Sequence, residues 1–144
     1  MNALISGGAL AVAGTSVVGS VASGIVANTA NILSYLWYGS SSNLQLRDYH
    51  RRITKLDITD KVKLVSAMLE TPDTYPMVIM MDAGLKSVTE TILRQLSDIQ
   101  IKLEGHADKW FSSYRNLYID EEIKDLEALV SVLDNKMLLI KGKG

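Results

Sequence analysis

Hydrophobic and polar positions divide this chain into two unequal parts. Residues 1–46 hold no Lys, Arg, Asp or Glu; all 15 basic and all 16 acidic residues lie at or after Arg47. Within the uncharged part, Gly7, Ala11, Thr15, Gly19, Ser23 and Ala27 recur every four residues and so share one side of a helix. A second small-residue row, Gly8, Ser16, Ser20 and Gly24, runs beside it, and Val17, Val21 and Ile25 line another side. The spacing predicts a helix, although a poor one in water, where each Gly costs about 1 kcal/mol and β-branched residues lose rotamer freedom. Lipid favours such a segment, because every backbone amide must be paired internally there. Small residues at four-residue spacing also let two helix backbones approach closely, so Gly7, Ala11, Thr15, Gly19, Ser23 and Ala27 are the expected helix-packing row.

Residues 4–27 are long enough to cross a bilayer, which takes about 20 apolar residues. Asn28, Thr29 and Asn31 are expected to end the span near residue 27. Tyr35, Trp37 and Tyr38 then read as interfacial aromatics, followed by Arg47, Arg51, Arg52 and Lys55 as cations at the membrane edge. Competing readings are a helix buried inside a large assembly, a surface-lying or inserting peptide, and a cleaved signal peptide. The last is disfavoured by an n-region without a positive side chain and an apolar run longer than the usual h-region.

After the small polar connector at 39–43, the pattern turns to helical amphipathy. Residues 44–56 read as a solvated helix start or loop, or as a basic patch on anionic headgroups. Ile58, Val62, Val65 and Leu69 form one face of a helix over 58–70, capped by Asp57 or Thr59 and stopped by Pro72 and Pro76. Over 77–104, Met81, Leu85, Val88, Ile92, Leu96, Ile99 and Leu103 alternate spacings of four and three, with Gly105 as the stop. A short helix is expected over 106–118, with Trp110, Tyr114 and Leu117 on one face and Phe111 and Tyr118 flanking. The last helix starts at Asp120, and Ile123, Leu126, Val130, Leu133, Met137 and Ile140 keep the same 3/4 spacing. Two seams of this kind joined by a short link predict an antiparallel bundle.

The expected fold is therefore all-α: a small-residue-rich, transmembrane N-terminal helix followed by a small antiparallel helical bundle. The expected division is 1–38 as a membrane- or assembly-embedded helix, 39–46 as linker and 47–144 as the bundle, with residues 44–144 folding without the rest.

Composition narrows the chemistry. Cys is absent, which excludes disulfides, thiolate catalysis and Cys-based zinc sites. His50 and His106 are too far apart in sequence to suggest a metal site. A net charge of −1 and a pI near 6.1 make no case for general nucleic-acid binding. No GxxxxGK[ST], HExxH, GxSxG or GxGxxG occurs, and Glu121, Glu122 and Asp125 read as partners of a helix dipole. The expectation is a non-enzymatic protein with no cofactor, metal, nucleic-acid partner or small-molecule substrate. It would anchor in a membrane with its bundle on the cytoplasmic side. There it would couple lipid to other protein subunits, in a homo- or hetero-oligomer, as a structural scaffold or minor virion or assembly component. Alternatives are a membrane-perturbing fusion or pore-forming protein, and a soluble subunit whose N-terminal helix is buried in a large assembly.

Overall fold

The computed structural model describes residues 15–39, 43–70, 77–107 and 117–143. They form five helices: α1 (Thr15–Gly39), α2 (Leu44–Leu56), α3 (Ile58–Glu70), α4 (Met77–Ala107) and α5 (Asp120–Lys143). Contacts between residues far apart in sequence fix their directions. Gly24 of α1 faces Leu93 of α4, Asn28 donates to Ser97 Oγ at 3.2 Å, and Tyr35 meets His106 at 2.5 Å. The offset stays near 70 residues, so α1 and α4 run side by side in the same direction. Gln95 and Lys102 of α4 both reach Glu122, while Gly84 lies beside Lys136, so α4 and α5 are antiparallel. Arg52 pairs with Asp120 and Glu127, and Lys61 with Asp134, so α2 and α3 follow α5 along its length. The outcome is an up-down-up-down helical bundle whose second leg is broken into two helices.

The break has a local cause. Asn43 caps α2, its Oδ1 accepting from the amides of Gln45 at 2.9 Å and Leu46 at 3.4 Å. Leu46, Tyr49 and Ile53 then form the buried stripe of a short amphipathic helix. Asp57 ends it in the left-handed conformation, at φ 53° and ψ 43°, with its amide bonded to the Thr54 carbonyl. An Asp tolerates this geometry better than most residues. Its own carbonyl accepts from Lys61 N at 3.2 Å, which starts α3 at once. Asp57 thus closes one helix and opens the next. The α3 stripe is Ile58, Val62, Val65 and Met68, with Leu69 only partly buried.

The principal departure from expectation is the place of α1. It packs against α2, α3 and α4, and Ile25, Ile32 and Leu36 are fully buried in the same core as Leu85, Ile99, Ile123 and Ile140. Burying each such side chain stabilises the fold by about 1.5–3 kcal/mol, more than enough to offset poor helix propensity. Residues 15–38 are thus packed against the other helices as one member of the bundle. No helix among the described residues is long and apolar enough to cross a membrane; residues 4–14 of the expected span lie outside the described residues. Asn28, Thr29 and Asn31 do not end α1. Asn28 is bonded to α4 and Thr29 is buried, so the helix runs on to Gly39.

One smaller correction concerns α4. It continues through Gly105 to Ala107, because His106 is drawn inward and buried against Tyr35. The short helix expected over 106–118 lies mostly outside the described residues, as do Trp110, Phe111 and Tyr114; Leu117 is buried and Tyr118 exposed.

Candidate functional site

The outward side of α1 is the most unusual surface. Ser23, Ala27, Ala30, Asn31, Ser34, Trp37 and Tyr38 are exposed along it, and none is charged. The stripe is small at one end and aromatic at the other, where Trp37 is 63 % and Tyr38 80 % exposed. The start of α2 folds back beside that aromatic end. The Trp37 and His50 rings lie 5.4 Å apart and are tilted by 49°, and Gly39 gives way to Leu46. The buried stripe of α2 turns its other face outward, presenting Leu44, Arg47, Arg51, Thr54 and Lys55. Leu44 is 74 % exposed, and His50 bonds Thr54 on the same face. Two exposed aromatics and an exposed leucine thereby lie at one end of the bundle, and Arg47, Arg51 and Lys55 follow along the outer face of α2.

Two residues expected at this surface are elsewhere. Tyr35 turns toward α4, where its hydroxyl shares a hydrogen bond with His106 Nδ1 and its ring meets the imidazole edge-on at 6.1 Å. Burial pushes its pKa above the ordinary tyrosine value. Arg52 points into the α2–α5 interface, its side chain only 19 % exposed. It donates to both Glu127 oxygens at 3.0 and 3.2 Å and to Asp120 at 2.6 Å. Hydrogen bonds to Glu127 and Asp120 raise its pKa still further. Asp120 is held below the usual carboxylate range by its hydrogen bonds with Arg52 and Lys124. Beside this network, Tyr49 donates to the Leu117 carbonyl at 3.1 Å, and burial pushes its pKa up. Arg51 pairs with Asp48 at the surface and stays exposed.

The expected packing row divides. Gly7 and Ala11 lie outside the described residues, and Thr15 begins α1. Gly19, Ser23 and Ala27 line an open groove of about 540 Å³ between α1 and α3, with Lys63, Ser66 and Glu70 on its other wall. Gly24 of the second row meets α4: a Cβ there would stand 3.1 Å from Leu93 Cδ1. Leu85, Ile92, Leu96, Ile99 and Leu103 are buried along α4, with Val88 partly so; Met81 lies in the helix, with its side chain outside the described set. Ile123, Leu126, Val130, Leu133, Met137 and Ile140 are buried along α5.

Among the described residues, no group of three or more His, Asp and Glu is placed to hold a metal ion. Asn43 was the legible signal for α2, since a cap followed by Leu46, Tyr49 and Ile53 is a helix start. The inward turn of Tyr35 and Arg52 had no such signal, because their partners are 71 and 68 residues away. Neither a protein-family model, nor a curated protein, nor a solved structure matches this chain.

Proposed function

We propose that this chain is a non-enzymatic helical scaffold that attaches a protein complex to an anionic lipid surface through the aromatic and basic end of α1 and α2. One observation carries this reading: Trp37, Tyr38 and Leu44 are exposed at the start of an α2 face that carries Arg47, Arg51 and Lys55. Trp and Tyr favour the headgroup level of a bilayer. Each Lys or Arg near an anionic leaflet adds about 1 kcal/mol. Ala30, Asn31 and Ser34, the uncharged residues of α1 leading to this end, can approach lipid without desolvating a charge. The other faces remain for protein partners.

Co-sedimentation with phosphatidylcholine vesicles, with and without phosphatidylserine, tests the proposal. Binding should require phosphatidylserine and weaken with salt. Trp37→Ser with Tyr38→Ser should reduce it, as should Arg47→Glu with Arg51→Glu. Equal failure to bind both vesicle types would overturn the proposal, and release of a trapped dye would favour a membrane-perturbing role instead.

A further inference from the structure

The groove between α1 and α3 is a surface that the packing of the described residues leaves uncovered. Gly24 is explained within the chain, since Leu93 crowds its Cβ position. At Gly19, a Cβ would meet no described atom within 4 Å. The small residue there, with Ser23 and Ala27 following it, keeps a floor open that no described residue fills. On the opposite wall, Lys63 and Glu70 stand seven residues apart, two turns along one face of α3 and about 10 Å along its axis. Neither forms an ion pair among the described residues. Midway between them are Ser66 and Ala67, the smallest side chains of that face.

We propose that this groove is the interface with a second copy of this chain, related by a twofold axis passing beside Ser66 and Ala67 and with the two α3 helices antiparallel. The charge pattern selects this occupant. A helix laid antiparallel in the groove must offer an anion opposite Lys63 and a cation opposite Glu70, at their own spacing. A second α3 does so by construction, because a twofold interface sets residue i against j and j against i. Lys63 of each copy then faces Glu70 of the other. A parallel alignment would set like charges together. The small residues lie at the axis, where two backbones come closest. The inference stands apart from the lipid reading, and measurements without lipid test it alone.

Sedimentation velocity of the full chain over a concentration series, in lipid-free buffer, decides the matter. The wild type should form a dimer. Lys63→Glu and Glu70→Lys should each weaken dimerisation about tenfold or more, because two attractive pairs become repulsive. The double exchange Lys63→Glu with Glu70→Lys should restore it. An equimolar mixture of the two single variants should form heterodimers, the acidic α3 of one facing the basic α3 of the other. A wild type that is monomeric at every concentration would overturn the proposal, as would single variants that dimerise like the wild type. Dimerisation that appears only after removal of residues 1–14 would assign the groove to that segment and overturn it equally.

Discussion

The Tyr35 hydroxyl and His106 Nδ1 stand 2.5 Å apart, joining the far end of α1 to the far end of α4 across 71 residues of sequence. Tyr35→Phe removes one partner of this bond and leaves the buried imidazole short of it, which should cost about 1–3 kcal/mol in urea unfolding. The pair also sets an alkaline limit. The folded state holds the Tyr35 and Tyr49 protons more tightly than the unfolded chain does. Their contribution is therefore full below about pH 10 and is lost as pH rises through the raised values. Urea midpoints measured from about pH 9 upward should fall less steeply for Tyr35→Phe with Tyr49→Phe than for the wild type.

Gly24 and Gly19 should respond differently to the same substitution. Gly24→Leu forces a side chain against Leu93 between two packed helices, where overpacking costs about 1–3 kcal/mol. Gly19→Leu enters the open groove and should leave the melting temperature of the single chain near that of the wild type. Thermal denaturation at low protein concentration makes the comparison.

Thr29 is buried, and its Oγ1 has no hydrogen-bond partner among the described residues. Thr29→Val keeps the shape and removes the unpaired hydroxyl, so it should raise stability by about 1 kcal/mol. An unchanged or lowered urea midpoint would mean that this hydroxyl is satisfied in solution.

Asp120 carries an acid dependence. Arg52 and Lys124 hold its pKa down, so its contribution is present above the ordinary carboxylate range and is lost as pH falls through its lowered value. The wild type should therefore lose stability on acidification more steeply than Asp120→Asn, as read from denaturant midpoints across the acid range.

α3, α4 and α5 were legible because their burial follows their spacing, whereas residues 44–56 read only as a helix start or loop. Leu85 to Leu103 and Ile123 to Ile140 repeat at intervals of three and four, and a one-sided helix has one way to hide such a stripe. The same logic set α1 apart from the other helices, against which it packs. Absence of charge marks a segment withdrawn from water, but it does not distinguish lipid from the inside of a bundle. Ile25, Ile32 and Leu36 would suit either; Asn28 bonded to Ser97, and Tyr35 bonded to His106, tie α1 to α4 within the bundle. For the aromatic and basic end, the sequence placed Trp37, Tyr38, Arg47, Arg51 and Lys55 near one another because they are close in the chain. It could not remove Arg52 from that group, since the anions that claim it lie in α5. Nor could it divide the small-residue rows between Leu93 and the open groove, because that depends on how far α1 rotates about its axis.

The central claim is that α1 belongs to the core of the bundle, and thermal unfolding of residues 44–144 alone tests it most directly. Without Ile25, Ile32 and Leu36, the α2, α3 and α4 surfaces that cover them would face water. Circular dichroism of that fragment should show reduced helicity and a broad melt without the cooperative transition of the full chain. A sharp, cooperative melt near the temperature of the full chain would contradict the claim and return the N-terminal helix to the role of an appendage.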